Sequence, residues 1–494
     1  MKITKFTLAA FASAAFLTSC NKDSDTTTTP TTDVVLKSHS VTPALVKKPA
    51  GFENLEIFSL IGSDDKLDQS PNYVFGGSAD GAGLFKNTDG TFSYMVNHED
   101  NFAVSRVTFD KTLKPVKGEY VLNSDGGLWR LCSATLATQA EHGFGPLFLT
   151  CGESGEESRT HGLELGATTA SAPMSRELAA LGRQSAENAM PLPKTAYPGK
   201  TAIIIGDDDN STYGGQVLLY WANVGDLQNG ELFVMRRKDL NQKERDMKVG
   251  EKYEVEFVKI ENQKSLTGRQ QNILMDQTLK AIKFGRVEDT DYRKDGVGRE
   301  IYINVTGQAN IGVNADNSRS KYGRVYKLNL ATAAPTSGTL ELVLDGDDRT
   351  GKAKMFQNVD NILVTKNYLY TQEDPNNDYN DQTHDAYVYQ YNLATGELKI
   401  ALELDHRRNM ANEPYNAAPG TGYPKPVADK SGYGSWEYGA MLDVSDQLGI
   451  PDAFMICIQP HTWRGDKYKS VDGGKLRPDE NQASQIVLVK GLPR

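Results

Sequence analysis

The sequence predicts an all-β chain, a β-propeller decorated with helical and loop insertions. It rests on three hairpin-like segments, on acidic motifs where strand-like runs end, and on the lack of a linker after Thr32. In each hairpin β-branched and aromatic residues alternate, as strands packed on one face require. Such hairpins, tens of residues apart and without close identity, fit the outer strands of propeller blades. A blade cannot cover its own two faces. Blades therefore stack around a channel, and the ends of the inner strands gather at one mouth.

The N-terminus is a targeting segment, outside the fold. Lys2 and Lys5 supply positive charge, Phe6 to Leu17 form an apolar run, and Leu17-Thr18-Ser19-Cys20 has the form of a lipobox. The run is too short to span a membrane. Residues 1–20 are thus read as a lipoprotein signal peptide with lipidation at Cys20, the alternative being an ordinary secretory signal with a chance cysteine. A di- or triacylated terminus anchors firmly, since one chain holds only marginally. Residues 21–35, rich in Thr and Asp at their start, read as a disordered tether. The expected location is the outer membrane or cell surface, or the periplasm, held by lipid; acidic residues just after Cys20 resemble the surface-export signals of some Gram-negative lipoproteins.

The body, residues 36–494, is roughly 460 residues, enough for one large all-β domain or two ordinary ones. One decorated propeller is the preferred reading. Gln216-Val-Leu-Leu-Tyr220 leads through a Gly/Asn turn to Glu231-Leu-Phe-Val-Met235. Arg324 to Leu330 leads to Thr339 to Leu344, and Tyr387 to Leu393 leads through Ala-Thr-Gly to Glu397 to Leu402. Between them, Gln263 to Lys283 carries Ile273, Leu274, Met275, Leu279 and Ile282 near helical spacing. Ser175 to Met190, Ala-rich with Leu178 and Leu181, is a second helical candidate.

Net charge is −10 with no Lys/Arg block. Nucleic acid is therefore not an expected partner, because phosphate-backbone binding needs a basic face. The acidic excess fits bound cations. Beyond Cys20 the cysteines are Cys132, Cys151 and Cys457. In an exported chain Cys132 and Cys151 could form a disulfide, but sparse and odd usage argues against a disulfide scaffold.

The acidic motifs carry the functional reading. Asn97-His98-Glu99 follows the apolar run from Phe92, and Cys132 comes shortly after; Glu153 and Glu156 close the next run, Leu149-Thr-Cys-Gly-Glu-Ser-Gly-Glu. Arg286-Val-Glu288-Asp289, Val359-Asp360-Asn361, Gln372-Glu373-Asp374 and Trp436-Glu437 follow. Carboxylates gathered at one mouth must repel one another or share cations. Oxygen ligands suit calcium, and a thiolate in the same pocket suits a softer transition metal. Other chemistries lack their residues. Gly152-Glu-Ser-Gly-Glu156 fails as a nucleophile elbow because position 156 is not glycine, and neither His-Glu-x-x-His, Cys-x-x-Cys nor a Walker-type loop occurs.

In order along residues 50 to 465, these motifs resemble the PhoX-type alkaline phosphatases. The matching segments are Asn97-His98-Glu99, Leu131-Cys132-Ser-Ala-Thr135, Leu149-Thr-Cys-Gly-Glu153, Gly182-Arg183 with Glu187, and Gly206-Asp207-Asp208. Arg286 to Asp289, Asp360-Asn361, Glu373-Asp374, Glu437 and Ile458-Gln459-Pro-His461 complete the series. The resemblance implies a six-bladed propeller whose channel mouth holds an iron pair and several calcium ions, Fe3+ and Ca2+. It implies metal ligation by Glu99, Cys132, Glu153, Glu187, Glu288, Asp360, Glu373, Asp374 and Glu437, with the Cys132 thiolate bridging iron and Arg286 binding phosphate. The expected substrates are small phosphate esters, hydrolysed outside the cytoplasm for phosphate acquisition by a monomer. The chain departs from the family where Ser133-Ala134-Thr135 replaces the usual glycines, and where Gly152-Glu153-Ser154-Gly155-Glu156 interrupts a double glutamate, leaving the ligand open between Glu153 and Glu156.

Bland readings stand beside these. His98 is expected as a hydrogen-bonded strand-end histidine, Arg286 with Glu288 as a local salt bridge, and Asp345 to Asp348 as a plain turn. Asp374 to Asp381 is oxygen-rich enough for a surface calcium but lacks EF-hand spacing. The alternative functions are a calcium-stabilised, non-enzymatic surface propeller that binds a partner or glycan, and another metal-dependent hydrolase on the same scaffold.

Overall fold

The computed structural model describes residues 32–168, 177–375, 383–407, 414–416 and 433–494. The signal peptide with Cys20, most of the tether, and Asp378 and Asp381 of the suggested surface site lie outside them. Thr32, at the start, already lies against the body, its hydroxyl donating to Leu448 O at 2.7 Å. Among the described residues no helix is long and apolar enough to cross a membrane.

The regular secondary structure of the described body is almost all antiparallel strand, in a propeller-like arrangement. All three expected hairpins form: Gln216–Asn223 pairs with Glu231–Arg237, Arg324–Leu330 with Ser337–Asp345, and Tyr387–Asn392 with Leu398–Leu404. The strands make five sheets rather than six separate blades: one of nine strands, one of five, two of four and one of three. The difference has a local cause. Lys252–Ile260 pairs with Ser337–Asp345, so two runs of strands fuse edge to edge into the nine-stranded sheet.

Six strands stand innermost, Ala79–Lys86, Arg130–Ala137, Ala186–Pro191, Val287–Tyr292, Val359–Val364 and Glu437–Asp443. Each packs against the next, and the last against the first. The ring is closed by the chain's own ends. Glu56–Gly62 pairs with Gln485–Lys490, and Val46–Lys47 with Leu398–Leu404, so early strands complete late sheets.

Side-chain alternation supplies the core between sheets. In Lys200–Asp207, Ile204 packs with Val217, Leu219 and Ile303, while Ile203 and Ile205 pack on the other face with Leu149, Leu218 and Met275. Each such side chain contributes about 1.5–3 kcal/mol by leaving water. Inner strands lie so close that a Cβ on Gly81 would meet backbone of residues 132–134 within 2.5 Å. Glycine is needed there for the close approach.

The insertion from Gln263 forms a short helix, Gly268–Ile273, continued by one wide turn, Leu274–Thr278. Thr267 and Gln270 cap it reciprocally. The second helical candidate does not form. Its described part holds a 3-10 turn, Ala179–Leu181, and then the inner strand Ala186–Pro191. The alanines that suggested a helix serve crowding instead, since Ala186 and Ala189 are buried where strands converge and packing overrides propensity.

Candidate metal centre

Every innermost strand carries a register shift near its start. The shifts fall between Ala79 and Ala82, Leu131 and Ala134, Ala186 and Asn188, Val287 and Thr290, Val359 and Ile362, and Tyr438 and Met441. A bulge adds one residue to a strand and re-aims its side chains. The donors sit on these bulges or beside them: Asp80, Cys132, Glu187, Glu288, Asp360 and Glu437. A second tier comes from the ends of the adjoining strands, where Glu99 follows Phe92–His98, Glu153 ends Leu147–Glu153, and Asp374 follows Tyr368–Glu373.

The two tiers meet in a cavity of about 830 Å³ lined by eight carboxylates, Cys132, His461 and three arginines, Arg130, Arg286 and Arg464. Among the described residues there are four triads, in each of which the donor atoms lie within 4.8 Å of one another: Asp80–Glu99–Cys132, Cys132–Glu153–Glu187, Glu187–Glu288–Asp360 and Asp360–Asp374–Glu437. Consecutive triads share a residue, which is the arrangement of bridging ligands in a multinuclear centre. The triads meeting at Cys132 offer a thiolate, and the other two offer oxygen alone.

Cations fit this donor set better than protons or donors from the protein do. Asp80 Oδ1 and Asp360 Oδ1 are buried with no hydrogen-bond partner. Burial, with Asp100 next, raises Glu99 to about 7; burial, with Asp208 next, raises Glu153 to about 8. Glu187, Glu288, Asp360, Glu437 and Asp80 stand well above the usual carboxylate range, from burial first and then mainly from neighbouring carboxylates. The Cys132 thiol is pushed up for the same reasons and donates to Glu153 Oε2 at 3.1 Å. Bound cations would reverse each of these shifts.

Arg286 has a left-handed backbone, φ 72°, at the start of its strand. Its Nε and Nη2 donate to the two oxygens of Asp208 at 2.6 and 2.9 Å, and Nη2 lies 3.3 Å from Glu288 Oε1. The local pairing with Glu288 therefore exists, but Asp208 is the stronger partner. Among the described residues nothing accepts from Nη1. Arg130 is tied to Glu99 Oε1 at 2.6 Å and to Asp100 Oδ1 at 2.9 Å, and His461 Nε2 lies 3.5 Å from Glu437 Oε1.

Of the expected ligands, Glu99, Cys132, Glu153, Glu187, Glu288, Asp360, Asp374 and Glu437 come together. Glu373 does not. It is fully buried, accepting from the backbone N–H groups of Gln357 and Tyr387 at 2.7 and 2.9 Å and from Tyr389 Oη at 3.0 Å, with His384 Nε2 at 2.9 Å. Strand alternation turns it away from the channel while Asp374 faces in. Glu156 also lies outside the triads, 3.9 Å from Arg269 Nη1. His98 is a strand-end histidine, with Nε2 2.7 Å from Ser105 Oγ, and burial lowers it to about 4. Cys132, Cys151 and Cys457 are all free, so no disulfide joins the first two. Sequence reasoning missed Asp80 as a donor, Asp208 as the arginine's anchor, and Arg130 and Arg464 on the wall. Asp80 opens a glycine-rich strand rather than ending an apolar run, so the strand-end signal was absent.

No protein-family model matches the chain, and no curated protein matches it. Among solved structures, it is similar to Pseudomonas fluorescens PhoX in complex with vanadate, a transition state analogue. The identity is 14%, with 93% of this chain and 98% of that one covered, at a TM-score of 0.56. A second match is the PQQ-bound aldose sugar dehydrogenase of Streptomyces coelicolor, 10% identical, covering 90% of this chain and 100% of that one at a TM-score of 0.32. The first likeness is one of fold: the chain has a PhoX-like fold.

Proposed function

We propose that the chain is a lipid-anchored, extracytoplasmic hydrolase of phosphate monoesters that depends on bound metal ions. The observation that carries this reading is the series of donor triads sharing Cys132, Glu187 and Asp360 beside Arg286, whose Nη1 has no acceptor among the described residues. A phosphate monoester carries about two negative charges near neutral pH, so carboxylates alone would repel it. When bound, metal ions would neutralise the wall and supply Lewis acidity to phosphoryl oxygens. Asp80, Glu99, Cys132, Glu153 and Glu187 are the set suited to iron, and Glu187, Glu288, Asp360, Asp374 and Glu437 the set suited to calcium.

The chain's own groups then have distinct tasks. Arg286 Nη1 donates to a phosphate oxygen, while the fork to Asp208 holds the guanidinium at a fixed angle. Glu153 and Glu288 flank the same arginine and keep it charged. Arg130, held by Glu99 and Asp100, and Arg464 present positive charge nearer the opening and attract anionic substrates. His461 stands on the same wall, its Nδ1 facing Gln482 Oε1 at 2.7 Å and its Nε2 turned toward Glu437.

The test is metal analysis together with a phosphomonoester assay on the purified protein. The expected result is iron with calcium, visible colour from thiolate-to-iron charge transfer, and turnover of a generic monoester. Cys132→Ser should lose colour, iron and activity together, while Cys151→Ser and Cys457→Ser keep all three. Arg286→Lys should keep metal and lower kcat/KM by roughly 100-fold, because the ammonium cannot form the fork. A fully metal-loaded protein without monoesterase activity would overturn the reading.

A further inference from the structure

We propose that a hard divalent cation of calcium's kind is also held outside the channel, beneath the helical insertion, by Asp207, Gln216, Asp209 and Asn272. Asp207 is fully buried, and neither of its carboxylate oxygens has a hydrogen-bond partner. Across the ladder it stands opposite Gln216, so the two side chains share a face. Ile205 and Leu218 occupy that face one step along each strand, and Met275 of the insertion covers it.

The amide neighbours are oriented with oxygen free. Gln216 Nε2 donates to Tyr213 O and Gly214 O, each at 3.2 Å, which leaves Oε1 buried and unmatched. Asn272 Nδ2 donates to Asp209 Oδ2 at 2.9 Å, which leaves Asn272 Oδ1 unmatched as well. Asp209 is, after burial, the largest charge acting on Asp207, so both acids belong to one neighbourhood.

The Ser185 backbone N–H lies near Asp207 without completing a hydrogen bond to it, and acceptors left unmatched in this way call for a cation. One proton shared by Asp207 and Gln216 would leave Asn272 Oδ1 and a carboxylate oxygen still orphaned, at about 1–3 kcal/mol each. The nearby guanidinium of Arg319 is committed to Ser211 O, Thr212 O and Gln308 Oε1. Carboxylate and amide oxygens without nitrogen or sulfur are calcium's donor set. Such an ion would fasten the insertion to the strand end whose next residue, Asp208, holds Arg286. The site does not rest on the phosphatase reading, since none of its donors lines the channel cavity.

The experiment counts calcium per chain in the purified holoprotein after exhaustive dialysis, for wild type, Asp207→Asn and Gln216→Leu. Both variants should lose one calcium equivalent while retaining iron and the remaining calcium, and calcium should raise their melting temperature less than it raises that of wild type. If Asp207→Asn fails to fold, Gln216→Leu carries the same count. Unchanged calcium in the folded variants would overturn the site, as would an Asp207→Asn protein that is more stable than wild type with and without calcium, which is the behaviour of a buried protonated acid.

Discussion

The two ends of the central channel hold acids of the same type in opposite states. At one end Asp80, Glu288 and Asp360 keep carboxylate oxygens that nothing hydrogen-bonds. At the other, Asp289 and Asp291 reach across to the next inner strand and accept from the backbone N–H groups of Ile362 and Val364 at 3.3 and 2.7 Å. Asp289 also accepts from the amide of Asn188, and Asp291 from Lys294 Nζ at 2.6 Å. Buried acids of the second kind stitch neighbouring strands together. Acids of the first kind have at most an ion pair, as Glu288 has with Arg286 at 3.3 Å, and their unmatched oxygens suit cations.

Removing cations should give the largest effect and bears directly on that contrast. Without them the folded chain holds protons that the unfolded chain has lost: Glu99 titrates near 7 and Glu153 near 8, against 4.5 for an ordinary glutamate. Raised acid values contribute stability below the unfolded pKa that disappears as pH rises through the folded one. His98, His142 and His161, each lowered to about 4, act oppositely and remove stability as pH falls below 6.5. The clean window is therefore about pH 6.5 to 8, where the histidines are neutral in both states. There the chelated protein should lose stability steeply with rising pH, whereas the loaded protein should lose less, because ligation requires ionised carboxylates and only acids away from the donor set, such as Asp289 near 7, still release protons on unfolding. Each site adds about 4 kcal/mol at a thousandfold excess of cation over Kd. Urea unfolding across this window, with and without chelator, measures both; a chelated protein that gains stability toward pH 8 would erase the distinction between the ends.

Glu373→Ala should come next in size. Its carboxylate is surrounded by Gln357 N, Tyr387 N, Tyr389 Oη and His384 Nε2. Truncation strands those groups in the core, for a loss of about 3–5 kcal/mol. Metal content should not change. A variant that instead sheds metal with little change in unfolding midpoint would return Glu373 to the ligand set.

Glu373 also shows where the sequence stops being legible. Consecutive acids such as Glu373 and Asp374, or Glu288 and Asp289, take opposite faces of a strand, and a bulge decides which faces the channel. Composition and spacing identify such pairs as strand-end acids without revealing the register. The outer hairpins were legible because their alternation is regular and their turns short. The inner strands were not: they are short, dense in small residues and buried on every side, as Ala186–Pro191 illustrates. Tertiary crowding, rather than local propensity, sets their conformation. Asp208 carried no signal of its role, because the arginine that it anchors lies far along the chain.

The smallest effect is the most discriminating, and it concerns two adjacent residues. Glu288 lines the acid-rich cavity, whereas Asp289 lines the opposite one. In chelated protein at about pH 8, Glu288→Gln removes a group that must stay protonated against its neighbours, and each unit of raised pKa so relieved is worth about 1.4 kcal/mol. Stability should rise. Asp289→Asn at the same pH replaces one of two accepting oxygens with an amino group, which then faces either Ile362 N or the Asn188 amide and Thr290 N. Burial raises Asp289 too, to about 7, so the substitution relieves part of that cost, but the stranded donors take back about 1–3 kcal/mol and the gain should be smaller than at position 288. Saturating calcium should invert the first sign, since Glu288→Gln then loses a ligand, and should leave the second unchanged. Measured by urea unfolding, a gain for chelated Asp289→Asn as large as that for Glu288→Gln would mean that the two ends of the channel do not differ in the way their hydrogen bonds indicate.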